Sequence, residues 1–101
     1  MSFKAVILLS RRADMTHEEF CRWWIDEHAP LAAQLPGVRR IVFNVSRDHD
    51  DVDGISELWF DSEADFVEAY ATELGLRVAA DSMAHVRNRT RMFVEEHDIV
   101  G

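Results

Sequence analysis

The pattern of apolar and polar positions predicts a chain that alternates strands and helices. An apolar run over residues 3–9 has the length of a strand, and because it hardly alternates, we expect both of its faces to be covered. Further strands are predicted over residues 38–46, 55–61 and 90–96. A polar connection over residues 47–54 should join the second and third strands as a hairpin.

The first helix is predicted to begin at a capping box. Thr16 is followed three residues later by Glu19, a pair that satisfies free backbone donors at a helix start. Pro30 lacks an amide hydrogen and disfavours helical geometry at the residue before it, so we expect the helix to kink around His28. A short further turn should extend to Leu35, where a Leu-Pro-Gly sequence ends it.

The second helical region is predicted to begin near Ser62, to be interrupted at Gly75 and to resume over residues 76–86. The side chains expected to point inward are Phe66, Tyr70, Leu74, Val78, Ala79 and Met83. The resulting order is β-α-β-β-α-β. This order predicts a ferredoxin-like α+β fold, in which a four-stranded antiparallel sheet carries its helices on one face.

The alternation within the middle strands predicts a second apolar surface on the sheet. The side chains assigned to that surface are Arg39, Ile41, Phe43 and Val45 from the second strand and Ile55, Glu57 and Trp59 from the third. Leu58 and Phe60 of the third strand point to the opposite face and are expected to pack under the helices. A sheet that is apolar on both sides should meet another sheet. We therefore expect a homodimer, a barrel of two facing sheets with a cavity in each half.

Composition limits the possible partners. The 101 residues allow one domain over residues 1–101, and 19 acidic against 11 basic residues give a formal charge of −8. This charge repels a phosphate backbone and an anionic membrane, so we expect neither nucleic acid nor a membrane as partner. The single cysteine, Cys21, allows no intramolecular disulfide, and the N-terminal apolar run is too short for a signal peptide. The composition therefore predicts a cytoplasmic protein.

A motif surrounds the first helix. Its segments are Met15-Thr16-x-Glu18-Glu19-Phe20, Trp23-Trp24, His28-Ala29-Pro30-Leu31-Ala32 and Leu35-Pro36-Gly37-Val38-Arg39-Arg40, followed by Asn44 and by Glu57-Leu58-Trp59-Phe60-Asp61. With these segments the chain resembles the EthD family. The resemblance implies a dimeric ferredoxin-like barrel without a tightly bound organic cofactor. Relatives of that fold include methylmuconolactone methylisomerases, polyketide cyclases and small monooxygenases.

The resemblance also implies a catalytic pair that is incomplete in this chain. In methylisomerase-like members, the histidine of the motif acts together with a tyrosine on the next strand. His28 matches the histidine, whereas Ile41 stands at the position of the tyrosine. The expected phenol is therefore missing from that strand.

His28 and Glu57 are the candidate catalytic residues. Imidazole titrates near neutral pH and can act as a general acid or base; the alternative is a histidine that caps carbonyls freed by the kink. Desolvation should raise the pKa of Glu57 unless a cation such as Arg39 pairs with it, and the alternative is an ion pair at the dimer seam. The side chains expected to bind substrate are Trp24, Arg39, Ile41, Asn44 and Trp59.

Three functional hypotheses follow. The first is a cofactor-independent enzyme that isomerises, cyclises, dehydrates or oxidises an aromatic, lactone or polyketide-like compound, with His28 as acid or base. The second is a non-catalytic accessory protein for an oxygenase, which Ile41 favours. The third, taken from a haem-binding branch of the fold, is haem ligation through His85, and the alternative there is a surface histidine at a helix end. Acidic residues 48–53 fit no known metal loop, and we interpret them as a solvated hairpin tip rather than a metal site.

Overall fold

The protein is built on a four-stranded antiparallel sheet. The computed structural model describes residues 2–48 and 51–101. The strands are β1 (Phe3–Arg11), β2 (Arg40–Val45), β3 (Gly54–Phe60) and β4 (Val86–Val94). Their order across the sheet is β2-β3-β1-β4, and each neighbouring pair is antiparallel. The first and third strands therefore form the centre of the sheet, as the ferredoxin-like order requires.

The helical elements lie between these strands in the predicted order. They are α1 (His17–Trp23), a π-helical turn (Trp24–His28), α2 (Ala29–Ala32), α3 (Glu63–Ala71) and α4 (Glu73–His85). The sheet residues buried beneath them include Ala5, Ile7 and Leu9 of β1 and Leu58 and Phe60 of β3. The predicted α+β fold with helices on one face of the sheet is confirmed. Within the described part of the chain, no helix is long and apolar enough to cross a lipid bilayer.

The predicted kink in the first helical region takes the form of the π-helical turn. The amide of Ala29 donates to the carbonyl of Trp24, five residues earlier. Pro30 follows and supplies no amide hydrogen to continue the α-helical pattern. In an α-helix, residues five apart differ by about 140° around the axis, and a wider turn reduces this angle. The turn thus brings His28 towards Trp23, and the two ring centroids are 5.0 Å apart.

The second helical region breaks at Thr72, three residues before the predicted interruption at Gly75. The side chain of Thr72 accepts a hydrogen bond from the amide of Gly75 and thereby caps α4. Gly75 is needed for close packing instead, because a Cβ at this position would collide with the carbonyl oxygen of Ala69 and lie 2.5 Å from Cα of Tyr70. Gly75 therefore does not interrupt the helix, as was predicted, but allows α4 to pack closely on α3.

The buried side of α4 also differs from the prediction. Val78 and Ser82, four residues apart, are buried, whereas Met83 is 61% exposed. The inward position predicted for Met83 is therefore wrong. The helix also continues directly into β4 at Val86, four residues before the strand predicted from the apolar pattern.

The register of β2 against β3 corrects one predicted face of the sheet. Ile41 lies opposite Leu58 and Phe43 opposite Ser56. Because directly paired residues share a face, Ile41 and Phe43 lie on the helix side and not beside Glu57 as predicted. The helix-free face instead carries Lys4, Val6, Leu8, Val42, Asn44, Ile55, Glu57, Trp59 and Met92. The prediction aligned the two strands one residue out of phase, and such a shift exchanges the faces.

Candidate active site

His28, at the end of the π-helical turn, is buried under α4. Its exposed fraction is 4%, and its Nδ1 lies 2.8 Å from a carboxylate oxygen of Asp81. On the other side of the ring, Nε2 lies 3.3 Å from the hydroxyl oxygen of Ser82. Both ring nitrogens therefore contact side chains of α4 rather than the backbone carbonyls of the kink.

Asp81 is held by several neighbours at once. The indole Nε1 of Trp23 donates to its carboxylate at 3.2 Å. The ring of His85 stacks on Trp23 with centroids 4.1 Å apart, and Nδ1 of His85 donates to the main-chain carbonyl of Asp81 at 2.8 Å. These contacts fix the carboxylate that orients His28.

The hydrogen bonds determine which nitrogen of His28 can accept a proton. An ionised carboxylate only accepts, so the hydrogen of a neutral His28 ring lies on Nδ1 and the lone pair lies on Nε2. Burial lowers the pKa of His28, the hydrogen bond and charge of Asp81 act in the opposite direction, and the charges of His85 and Arg89 lower it further. The ring is therefore neutral at pH 7, and its basic nitrogen is Nε2, which accepts from the hydroxyl of Ser82 in this tautomer.

A small cavity lies beside His28, between the sheet and the helices. Its polar lining is His28, Ser56, Tyr70, Ser82 and Arg89, and its apolar lining includes Trp24, Phe43, Leu58 and Val78. The cavity has a volume of about 20 Å³, which is room for about one water molecule. The cavity combines a base with apolar walls, the usual composition of a small-molecule site.

Trp24 forms one wall of this cavity. Its ring is fully buried and stacks on Phe43, with centroids 4.2 Å apart and planes 4° from parallel. The ring fits because residue 54 is glycine: a Cβ there would lie 2.5 Å from Cζ3 of Trp24. Among the described residues, Nε1 of Trp24 is a buried donor without a hydrogen-bond partner.

The sequence did not single out Asp81, Ser82, Tyr70 or Arg89 as site residues. Tyr70 was predicted to point inward, which was the available signal, and it supplies a phenol to the cavity that β2 lacks at Ile41. Burial raises the pKa of Tyr70, so its hydroxyl stays protonated. Nothing in the sequence indicated that Asp81 meets His28, because their contact depends on how α4 packs.

Glu57 lies on the helix-free face and therefore points away from His28. Asn44 donates to its carboxylate at 3.0 Å, and Nζ of Lys4 lies 3.0 Å from it. These two contacts hold the pKa of Glu57 below its usual range. Trp59 shares the face, and its Nε1 donates to Glu96 at 3.0 Å. The structure does not bring Glu57, Asn44 or Trp59 to the cavity.

Arg39 and Ile41 also lie outside the cavity. Arg39 is exposed and pairs with Asp61 at 2.6 Å, so the predicted pairing with Glu57 is wrong. The reason is that Arg39 precedes β2, where the carboxylate at the end of β3 is nearer. Ile41 lines an outer apolar groove next to Phe43. Of the predicted site residues, Trp24 and His28 are the two that the structure brings together.

A second buried charge cluster lies at the start of α1. Asp53 is 1% exposed and accepts hydrogen bonds from the backbone and the guanidinium of Arg11, and its carboxylate lies 2.7 Å from Nδ1 of His17. The solvated position predicted for Asp53 is therefore wrong. His49 and Asp50 of the predicted hairpin tip lie outside the described residues. In the described ranges, no group of three potential ligands could hold a metal ion.

The fold and part of the sequence match known proteins. A protein of the ethyl tert-butyl ether degradation (EthD) family from Bacillus halodurans superposes with a TM-score of 0.81 at 24% identity, covering 96% of this chain and 100% of that chain. SnoaB, a cofactor-independent oxygenase from Streptomyces nogalater, superposes with a TM-score of 0.76 at 17% identity, covering 98% of this chain and 96% of that chain. A dimeric ferredoxin-like protein of unknown function from Thermobifida fusca superposes with a TM-score of 0.77 at 14% identity, covering 93% of this chain and 90% of that chain.

The family assignment rests on the sequence match. No curated protein sequence matches the chain significantly. A model of the EthD domain matches residues 12–86, which include the helix with His28 and the helix with Asp81. The protein therefore belongs to the EthD family.

Proposed function

We propose that this protein is a cofactor-independent enzyme that moves a proton on an aromatic, lactone or polyketide-like compound, with His28 as the base. The observation that carries the proposal is the hydrogen bond between Nδ1 of His28 and Asp81, which leaves the lone pair on Nε2 in a buried ring. A defined tautomer, a ring that is neutral at pH 7 and apolar surroundings suit a general base.

The proposed roles of the neighbouring groups follow from their chemistry. Asp81 orients the imidazole and stabilises the imidazolium that forms when Nε2 takes a proton. The phenol of Tyr70 donates a hydrogen bond to the oxygen on which negative charge develops, as donors in an oxyanion hole do. The reaction class is an isomerisation, cyclisation, dehydration or cofactor-free oxidation, all of which can begin with removal of a proton.

Access to the cavity requires a side chain to move, because the space beside His28 holds about one water molecule. Phe43 lines both this cavity and the outer groove with Ile25, Ala29, Ala33 and Ile41. It is therefore the wall between them. We propose that substrate enters from the groove as Phe43 turns aside.

The experiment is a proton exchange assay that needs no natural substrate. The probes are 2-tetralone, an aromatic ketone, and α-angelica lactone, and loss of their acidic C–H signals is followed by NMR in D₂O. We expect the protein to accelerate exchange of at least one probe, and His28→Gln to reduce this acceleration by about 10²- to 10⁴-fold. His97→Gln, at an exposed histidine, is the matched control. Acceleration that survives His28→Gln would overturn the proposal.

A homodimer is proposed through the helix-free face of the sheet. Val6, Leu8 and Val42 lie there and are only partly buried within one chain. A partly exposed apolar sheet face is stabilised by a second sheet, and the similar protein from Thermobifida fusca is dimeric. Leu8→Glu is expected to yield monomers in sedimentation analysis. Leu76→Glu, at a residue that is 61% exposed on α4, should leave the dimer unchanged.

The two alternative functions stay predictions. The accessory role was favoured by the absence of a tyrosine at Ile41, and Tyr70 weakens that argument because it brings a phenol to His28 from α3. Haem ligation through His85 has less support, since the ring of His85 stacks on Trp23 and its Nδ1 donates to the carbonyl of Asp81. A visible spectrum after addition of haem would distinguish this function.

A further inference from the structure

We infer that the compound bound beside His28 carries a carboxylate group, and that Arg89 binds this group. The inference rests on the proposed function and names the chemical class of its substrate. Arg89 pairs with Leu9 across the sheet and therefore lies on the helix side of β4. There it lines the same cavity as His28 and Tyr70.

Arg11 and Arg89 are the partly buried arginines of the described residues, and Arg89 is the one that has no counter-ion there. Within residues 2–48 and 51–101, three other arginines pair with aspartates: Arg11 with Asp53, Arg12 with Asp14 and Arg39 with Asp61. In the same ranges no carboxylate forms an ion pair or hydrogen bond with Arg89, although acidic residues outnumber basic ones, 19 against 11. The cavity therefore contains a positive charge that the described residues leave uncompensated.

The surroundings of this guanidinium favour binding of an anion. Burial lowers the pKa of Arg89, and the charged or titratable groups that influence it are Tyr70 and Arg91. Its charge also acts unfavourably on His28. A partly buried cation without a partner costs free energy, and a bound anion would remove much of that cost.

A carboxylate fits this position better than other anions of a small organic compound. The planar guanidinium offers two parallel N–H donors that match the two carboxylate oxygens. With its carboxylate on Arg89, the apolar part of the compound would extend along Leu58 and Val78 beside His28.

The first test compares two probes of nearly equal size, benzoate and benzamide, by calorimetric titration. The protein is expected to bind benzoate more tightly than benzamide. Arg89→Gln should weaken benzoate binding about tenfold to a hundredfold and leave benzamide unchanged, since a hydrogen bond between charged groups is lost. Arg91→Gln is the matched control, because it removes the same charge on the same strand from a residue that packs over Phe66 and Phe93.

Equal binding of both probes by the wild-type protein, or no binding of benzoate, would overturn the inference. An equal loss of benzoate binding in Arg91→Gln would also contradict it. Because Arg89 has no ion-pair partner among the described residues, Arg89→Gln should retain the wild-type melting temperature, whereas a clear decrease would indicate a structural role for this side chain instead.

A second measurement separates this inference from the proposed function. Benzoate bound to Arg89 should raise the pKa of His28, followed through the Cε1 proton of its ring, because it brings negative charge next to the imidazole. His28→Gln should abolish proton exchange and keep the preference for benzoate. If exchange depends on His28 but benzoate is not preferred, the carboxylate inference alone has failed.

Discussion

The carboxylate of Asp81 accepts a 2.8 Å hydrogen bond from Nδ1 of His28, although 53 residues separate the two in the chain. The contact joins the π-helical turn to the middle of α4 and selects the tautomer of the buried ring. The proposed chemistry of the cavity depends on this one contact, so its removal should be visible directly on His28.

Asp81→Asn is expected to lower the pKa of His28 further. The negative charge of Asp81 now counteracts the effect of burial, and an amide would remove that charge while keeping the size of the side chain. The measurement is an NMR titration of the His28 Cε1 proton. Asp61→Asn, which breaks the exposed pair with Arg39, is the control and should leave the titration unchanged. An unchanged or raised pKa in Asp81→Asn would show that the carboxylate does not act on the ring.

The burial of neutral His28 predicts that stability declines in mild acid. In the unfolded chain a histidine takes up its proton near pH 6.5, as it does in model peptides. The folded protein, in which the pKa is lowered, takes up the proton only at a lower pH. Between these two pKa values the unfolded state binds more protons, so the free energy of unfolding falls as the pH decreases through this range.

The corresponding measurement is urea unfolding between about pH 5 and pH 7.5, a range that includes the ordinary pKa of histidine. The wild-type protein should lose stability with decreasing pH more steeply than His28→Gln, which cannot titrate at this position. Equal slopes for the two proteins would be inconsistent with a buried neutral ring.

Asp53→Ala is expected to lower the free energy of unfolding by about 3 kcal/mol, because it leaves the guanidinium of Arg11 without its buried partner. Asp53 is almost fully buried and also lies within hydrogen-bond distance of His17. Thermal unfolding with Asp14→Ala as the control tests this, since Asp14 pairs with Arg12 at the surface. If both variants unfold alike, the cluster around Asp53 has no special role in stability.

Gly54→Ala is expected to destabilise the protein by about 1–3 kcal/mol through overpacking. Its methyl group would lie 2.5 Å from Cζ3 of Trp24, and a shift of the ring would disturb its stacking on Phe43. The same substitution in a Trp24→Phe background should cost less, since the smaller ring leaves room for the methyl group. A double-mutant cycle from denaturant unfolding measures this difference, and strict additivity would exclude a contact between the two positions.

The sequence predicted the fold well where local chemistry determines structure. Thr16 and Glu19 form the predicted capping box, and Pro30 accompanies the predicted kink. The prediction failed where the local sequence was compatible with two structures. A helix break at Thr72 or at Gly75 satisfies the same apolar pattern, and only the close packing of α4 on α3 decides between them.

The location in the cytoplasm, the lack of nucleic-acid partners and the extent of the domain stay predictions from composition. None of them depends on the arrangement of the cavity. The homodimer likewise stays a proposal until Leu8→Glu is tested, although the partly exposed face that supports it is now defined by the register of β1 and β3.

The sequence by itself determined the order of the elements, the family motif and His28 as the central candidate, because capping, turn chemistry and spacing are local properties. The tertiary structure decided which groups surround His28. Asp81 and Arg89 reach it from α4 and β4, whereas Glu57 is turned away by the alternation of β3. Contacts between distant segments depend on strand register and helix packing, and a pattern along one chain does not determine either.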